Sequence, residues 1–441
     1  MTVAVIGADE ESLHAIRQAK KQGFKVVAVD QNSQAPGLTD ADVKLNIPIS
    51  EENQVIEALK EQKVDLVLTA PIGRHLSTIG AVNDALGLPG ISKKSAQMCS
   101  DKYAFHSRLR NVKLRGGHCY LVNSNQLFDP SQISYPAILK PRFGSHGRSV
   151  HLLENATSLL ELEEEIWGDN EGNKTAQEQL NEFITEMGKD SDPTQFVAML
   201  KKTLDEKRKV QNGEDDPNID YILEEALPGV EYAVDGVVEG CNFELVLLRR
   251  KVITPPPARA AVAYVSVVPY EEHRLLSLVR DYMSKVCEAM NLKDCMIHAD
   301  IMVLGSKCSA IEVSASPAGH HIYDEIIPMS TGVDICSQYL TYMRGEIHNF
   351  SPLNSKKMMM HYFNMENCFV HKIPSERRIK EILPEKVKLR KWVCNIILLD
   401  YMGSITDEDS LLRRGYYILE GPNDRVLMEA ADLIMSEFEL K

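Results

Sequence analysis

The sequence predicts an α/β unit followed by a larger α+β body and a closing α/β region. Three observations carry that reading. In the first ninety residues short apolar runs alternate with amphipathic stretches; from Tyr221 to Val313 strand patterns follow one another around a single long helical pattern; and from about Phe350 the alternation returns. Strands separated by helices need crossovers and form parallel sheets covered on both faces, whereas strands joined by short turns pair antiparallel. At 441 residues the chain is long enough for about two to four structural units.

Taken in order, Val3 to Ile6 is an apolar run ending at Gly7. Ser12 to Gln22 places Leu13, Ile16 and Ala19 on one helical face and stops at Gly23. Phe24 to Asp30 reads as a second strand, Val55 to Leu59 as part of a helix and Val64 to Leu68 as a third strand. This is a Rossmann-like order. Its phosphate loop is incomplete, because Gly7-Ala8-Asp9-Glu10-Glu11-Ser12 is not GxGxxG and its acids would repel a pyrophosphate. Gly7 is therefore read as permitting a tight strand-to-helix turn, and Asp30 carries little weight as a ribose ligand. A boundary falls near Leu88-Pro89-Gly90, giving a first domain over 1–95.

A second domain is predicted over 96–345. Ser100 is read as the cap of a helix running to Leu109, and Tyr135 to Pro141 as a strand that leads into the polar glycine loop Arg142 to Val150. Residues of about 155–218 are polar, acidic and helical in pattern, and read as an insertion with a solvated face. Strands follow at Tyr221–Glu225, Glu231–Val238, Phe243–Leu248, Ala261–Val268, Cys295–Val303 and Cys308–Val313, with a helix over Glu271–Met290. A C-terminal domain, 346–441, ends in a helix from Asp424 to Phe438.

Composition narrows the function. Lys+Arg number 49 against 63 Asp+Glu, for a formal charge of −14. That balance disfavours nucleic acid as a partner. No stretch approaches the ~20 apolar residues that span a bilayer, and the opening residues lack the basic region of a signal peptide. The nine cysteines are scattered, with no CxxC pair. Reduced thiols in a cytoplasmic protein fit that pattern.

Four patches carry candidate chemistry. Asp101-Lys102-Tyr103 opens a helix. Leu139-Lys140-Pro141 sets an ammonium at the end of a buried strand, costly unless it has a partner. A phosphate would offset that cost, and the small residues of Gly144-Ser145-His146-Gly147-Arg148 leave backbone N–H groups room to cradle phosphate oxygens. Glu224-Glu225-Ala226-Leu227-Pro228-Gly229-Val230-Glu231 places carboxylates on both sides of a Pro-Gly turn. Asp300, within His298-Ala299-Asp300, and Glu312 are twelve residues apart, as two residues facing across a hairpin could be. Converging carboxylates repel unless a cation lies between them, and Mg²⁺ suits oxygen ligands. Each patch has a plain alternative: a surface lysine, a lysine capping a hairpin loop, solvated acids around a turn, strand acids facing water. His320-His321 with Asp324 would make a transition-metal site only on a loop, since adjacent strand residues face opposite ways. Met358-Met359-Met360 reads as core strand. GxSxG, HExxH and Walker loops are absent from the sequence.

As an ordered set, these patches resemble the ATP-grasp superfamily, and the leading unit looks like the pre-ATP-grasp domain of its biotin-carboxylase-like members. The resemblance implies an ATP-grasp fold with a C-terminal α/β capping region. It places Lys102 and Lys140 on the ATP phosphates, with Gly144, Ser145 and Gly147 closing over them. Glu224 would lie at the adenine amino group, the backbone of Glu225 and Leu227 at the ring edge, and Glu231 at the ribose. Asp300 and Glu312 would hold Mg²⁺, or Mn²⁺ in its place. Relatives usually read E-x-N-x-R where this chain has Ser314 and Ser316 after Glu312. A serine hydroxyl can replace the asparagine as a metal ligand, more weakly. The missing arginine leaves Arg249, Arg250, Arg259, His320 and His321 as candidates to compensate, and Arg250 and His320 are taken as the catalytic pair. The organisation looks closest to amino-acid and dipeptide ligases, which implies small carboxylate and amine substrates, an acyl-phosphate intermediate and a homodimer. Two rival readings are a biotin- or purine-type carboxylase using bicarbonate, and a non-catalytic ATP-binding scaffold.

Overall fold

The structure, a computed structural model, describes residues 1–122, 132–144, 149–159, 162, 220–255 and 259–441. These residues form two compact units. The larger holds Met1–Gly116 and Leu227–Lys441; the smaller holds the described residues of 117–144 and 148–226.

In the larger unit the chain opens with four parallel strands, β1 (Thr2–Ile6), β2 (Lys25–Val29), β3 (Val43–Leu45) and β4 (Leu66–Val67), ordered β3-β2-β1-β4. Val3–Ile6 and Val26–Val29 are buried throughout, as a sheet covered on both faces requires. Gly7 adopts φ +89°, the left-handed region a tight turn needs. Asp30 is a backbone anchor: its carboxylate accepts from the N–H groups of Ala8 and Asn32, each at 2.8 Å, tying the ends of β1 and β2 together.

The smaller unit is an antiparallel sheet of β5 (Cys119–Val122), β6 (Ala137–Pro141), β7 (His151–Leu153) and β8 (Tyr221–Glu225), ordered β5-β8-β6-β7. Val122, Ala137, Leu139, Leu153 and Leu223 form its core. The acidic segment expected over 155–218 lies almost wholly outside the described residues.

The larger unit then builds an eight-stranded antiparallel sheet. Its strands are β9 (Val230–Glu239), β10 (Asn242–Ile253), β11 (Ala261–Ser266), β12 (Cys295–Leu304), β13 (Lys307–Ser314), β14 (Met358–Tyr362), β16 (Lys388–Cys394) and β18 (Gly415–Glu420), in the order β13-β12-β9-β10-β11-β14-β18-β16. The remaining strands, β15 (Cys368–Lys372), β17 (Tyr401–Met402) and β19 (Glu439–Leu440), form a separate three-stranded sheet. The Pro269–Ala289 helix buries Val279, Met283 and Val286 in the same core as Val234, Leu248, Ile297, Ala299 and Val313 of the large sheet. Because strand residues alternate faces, the charged residues between those apolar positions all point the other way.

Three differences from the sequence reading concern elements. The strands after residue 346 were expected in a C-terminal domain, yet β14, β18 and β16 hydrogen-bond directly into the large sheet. Long-range pairing of this kind leaves no local mark in the sequence. The cap of the Lys102–Asn111 helix is Asp101, whose Oδ1 accepts from the N–H groups of Tyr103 and Ala104; Ser100 ends the preceding helix instead. β10 runs five residues beyond Leu248, to Ile253, and this carries Lys251 into the sheet. Met358–Met360 are buried strand, as expected. Among the described residues no helix is long and apolar enough to cross a membrane.

Candidate active site

One face of the large sheet gathers the charged side chains. Cα pairing aligns Asp300 of β12 with Glu312 of β13 and with Ala233 of β9, and His298 with Ser314 and Asp235. Arg249 of β10 pairs with Ala233, and Lys251 with Tyr264 of β11. Period-two alternation therefore puts Ser314, Glu312, His298, Asp300, Glu231, Asp235, Arg249, Lys251 and Tyr264 on the same side.

Lys251 is the centre of this face. Its Nζ lies 2.8 Å from Asp300 Oδ2, 2.9 Å from Glu231 Oε1 and 3.8 Å from Glu408 Oε1, and its side chain is 8% exposed. Burial opposes the ammonium, but Asp300 and Glu231 outweigh it and hold the lysine pKa well above its ordinary value. Burial likewise opposes the Asp300 carboxylate, and Lys251 overcomes it, lowering that pKa. Beneath this group, fully buried Arg249 donates from Nε to Asp235 Oδ2 at 2.8 Å and stacks on the Tyr264 ring. His298 Nδ1 lies 3.1 Å from Asp235 Oδ1, which fixes the imidazole beside Asp300.

The residues present fit a divalent cation. Asp300 Oδ1 is buried without a hydrogen-bond partner, and His298 Nε2 comes only within 3.9 Å of it. An orphaned carboxylate oxygen is costly to bury. Glu312, directly opposite across the ladder, makes no ion pair among the described residues. The two carboxylates supply the hard oxygen donors that Mg²⁺ prefers. Ser314 is less open than expected, since its Oγ shares a 2.7 Å hydrogen bond with Ser316 Oγ. Of the two carboxylates expected to depend on a metal, Asp300 already has a protein counter-ion in Lys251, whereas Glu312 has none among the described residues.

The other predicted residues are placed as follows. Lys102 occupies the first turn of its helix. In the smaller unit Lys140 Nζ lies 2.6 Å from Glu224 Oε1, with the two side chains 5% and 6% exposed. The ammonium at the strand end thus has a protein partner, and Glu224 is not a free acceptor. Glu225 and Leu227 are half-buried. Gly144 adopts φ +133°; Ser145, His146, Gly147 and Arg148 lie outside the described residues. Glu231, read as a ribose acceptor, bonds Lys251. Arg250 is not brought to the site: it points to the opposite face of β10 and grips Asp424 Oδ2 from Nε and Nη2 at 3.0 and 2.7 Å. His320 sits in a left-handed turn, φ 57°, with Nδ1 3.9 Å from Glu408 and Nε2 3.4 Å from Asp409. His321 also turns left-handed, near Asp324 at 3.4 Å, while Glu325 is occupied by Lys391 and the Tyr416 hydroxyl.

Sequence reasoning missed Lys251, Asp235, Glu408 and Asp409. Asp235 did leave a signal, a lone acid inside the apolar run Ala233-Val234-Asp235-Gly236-Val237. Glu408 and Asp409 left none, since they read as ordinary acids in the first turn of the Glu408–Arg414 helix.

No family model matches the chain. The formate-dependent phosphoribosylglycinamide formyltransferase of Prochlorococcus marinus (strain MIT 9515) is 22% identical over 163 residues, 36% of this chain; the chain spans 41% of that relative's length. The L-amino acid ligase from Bacillus licheniformis has a TM-score of 0.69 at 15% identity, covering 100% of this chain and 98% of that one. The biotin carboxylase domain of Hydrogenobacter thermophilus 2-oxoglutarate carboxylase, crystallised as a dimer with MgADP and bicarbonate, has a TM-score of 0.60 at 13% identity over 100% of this chain and 90% of that one. The chain therefore shares its fold with that L-amino acid ligase and that biotin carboxylase domain, its parallel α/β unit leading into the large antiparallel sheet.

Proposed function

We propose that the chain is an ATP-dependent ligase that joins a small carboxylate to an amine through an acyl phosphate, releasing ADP and phosphate. The observation that carries the reading is the orphaned Oδ1 of Asp300, a residue paired across the ladder with Glu312, beside a lysine buried among carboxylates. Such a face holds cationic charge in a fixed place, which is what transfer between anionic reactants needs. The fold shared with an L-amino acid ligase supports the same reading.

In this proposal the Lys251 ammonium, held by Asp300 and Glu231, attracts the negative charge of the reacting carboxylate and phosphoryl oxygens. Arg249, Asp235 and His298 fix the strand side chains around it and cost no reorganisation when charge moves. Asp300 and Glu312 would hold Mg²⁺, which supplies Lewis-acid neutralisation of phosphate charge when bound; Mn²⁺ would serve the same role. Within the smaller unit, Lys140 and Glu224 are the candidate nucleotide contacts. The substrate carboxylate attacks the γ-phosphorus, ADP departs, and the amine then displaces phosphate from the acyl carbon. Release of ADP and phosphate across a pooled panel of amino acids, with mass spectrometry of the products, tests this. ATP turnover that responds to bicarbonate and to no amine would replace it with the carboxylase reading.

A further inference from the structure

The buried lysine of the large sheet has more carboxylate around it than it uses. Lys251 Nζ contacts Asp300 Oδ2 at 2.8 Å and Glu231 Oε1 at 2.9 Å. A third acid stops short: Glu408 Oε1 lies 3.8 Å from the ammonium and 3.4 Å from the Tyr264 hydroxyl. A charge-assisted N–H···O bond measures about 2.7–2.9 Å, so this contact is roughly 1 Å from being made. Glu408 is held at that distance from two sides. Its helix, Glu408–Arg414, is capped by Asp407, whose Oδ1 accepts from the Ser410 N–H at 2.7 Å, and its own Oε2 faces His320 Nδ1 at 3.9 Å. All of these residues lie in the larger unit.

Asp300, meanwhile, is claimed twice. Its Oδ2 holds Lys251, while its Oδ1, buried without a hydrogen-bond partner, belongs with Glu312 to the carboxylates that would receive a divalent cation. Two cations on one carboxylate repel at short range, the more strongly where water is excluded. Lys251 is anchored in a central strand, with its Cα in register with Tyr264 and its side chain 8% exposed, so the ammonium turns about its stem rather than moving into water. On the Glu231 side it has competition, since Arg259 Nη2 lies 3.7 Å from Glu231 Oε2. On the Glu408 side a shift of about 1 Å completes a charge-assisted bond.

We infer that Lys251 has two seats, one on Asp300 and one on Glu408, and that Glu408 is a positioning residue that sets the affinity of Asp300 and Glu312 for a divalent cation without touching it. Before the cation binds, the ammonium neutralises Asp300 and Glu231. As Asp300 and Glu312 take the cation, the ammonium turns to Glu408 and keeps Glu231 as its partner throughout. No covalent bond changes and no proton moves. Neither the acid nor the lysine is then left buried and alone in either state, which would be costly. The inference rests on the metal site of the ligase reading and adds how that site is filled. It makes loading depend on a residue more than a hundred positions beyond Asp300 in the chain.

Mn²⁺ binding to the whole chain, followed by the electron paramagnetic resonance signal of the free ion with neither nucleotide nor substrate present, tests this apart from turnover. Wild type should show a Mn²⁺ site that Glu312→Gln removes. Glu408→Gln and Glu408→Asp should both weaken that site by about fivefold or more, the first by removing the charge and the second by withdrawing the oxygen while keeping the charge. Lys251→Met should bind Mn²⁺ more tightly than wild type, and adding Glu408→Asp to it should change the affinity by less than about twofold. If Glu408 acts only as a nearby negative charge, Glu408→Gln weakens Mn²⁺ and Glu408→Asp does not. If it only supports the fold, Glu408→Asp weakens Mn²⁺ equally with and without Lys251. Either result overturns the inference and leaves the ligase reading in place. A wild-type protein with no Glu312-dependent Mn²⁺ site overturns the metal site of that reading and this inference with it. Should Lys251→Met fail to fold, the urea midpoint of Glu408→Asp decides instead: an unchanged midpoint with weakened Mn²⁺ supports the second seat, and a parallel loss of both overturns it.

Discussion

Replacing Lys251 by methionine removes the ammonium while nearly preserving length and volume. Its Nζ sits 2.8 Å from Asp300 and 2.9 Å from Glu231, both with side chains only 12% exposed. At an effective dielectric constant of about 20, each contact is worth roughly 6 kcal/mol of Coulomb energy, much of it offset by the loss of hydration. Removing one partner leaves the other charges buried and uncompensated, which costs about 3–5 kcal/mol. Urea unfolding of Lys251→Met in metal-free buffer should show a loss of that size. Adding Asp300→Asn should return a substantial part of it, because the second change removes one of the stranded charges. Mg²⁺ should stabilise Lys251→Met more than wild type, since the released Asp300 gains a free oxygen for the ion. A variant within about 1 kcal/mol of wild type, with no gain from Mg²⁺, would refute the assignment of Lys251 as the internal counter-ion of this face.

Further outcomes follow from the same geometry. Glu312→Gln should abolish product formation yet shift stability by less than about 0.5 kcal/mol, as Glu312 has no ion pair to lose among the described residues; Asp300→Asn should abolish it with a measurable stability cost, because Lys251 loses a partner. Magnesium titration and unfolding curves check both. Lys140→Met should weaken ATP more than adenosine, by about 1.5–3 kcal/mol in a calorimetric comparison, the size of a charge-assisted bond; equal weakening of both ligands would count against a phosphate contact. His361, stacked on Tyr417 in an apolar layer, is pushed by burial from 6.5 down to about 4. The fold holds it neutral while the unfolded chain protonates it, so its contribution is intact above pH 6.5 and is lost as pH falls toward 4, by about 3 kcal/mol. His361→Leu should flatten that part of the stability–pH curve, and an unchanged slope would contradict the burial argument.

Much of the architecture was legible because apolar runs and turn residues mark strands locally. Most predicted strands and long helices lie within a few residues of their observed bounds, and the fold class follows from their order. Facing of Asp300 by Glu312 depends on a detail of phase. The hairpin closes with Leu304 opposite Lys307, which by simple counting would pair Asp300 with Ile311; a bulge at Ile311 turns Glu312 toward Asp300 instead. A similar shift in β10, between Leu245 and Leu247, resets which of its basic residues face the site. Counting along the sequence could not choose between Arg249 and Arg250 for that reason, and Arg250 proved to face away. Glu408 and Asp409 were illegible for a different cause. They follow Asp300 by more than a hundred residues and reach it only through the pairing of β11 with β14 and of β14 with β18.

That pairing also bears on how such a protein can be divided or recombined. All six residues of β11, from Ala261 to Ser266, are buried, and β14 covers one of its edges. A fragment ending near residue 345 would expose that edge as a row of unpaired amides flanked by apolar side chains, a template for self-association. It would also lose Glu408 and Asp409. The C-terminal hundred residues are thus not an interchangeable module: exchange with a relative would have to preserve the strand register at β11 and β14.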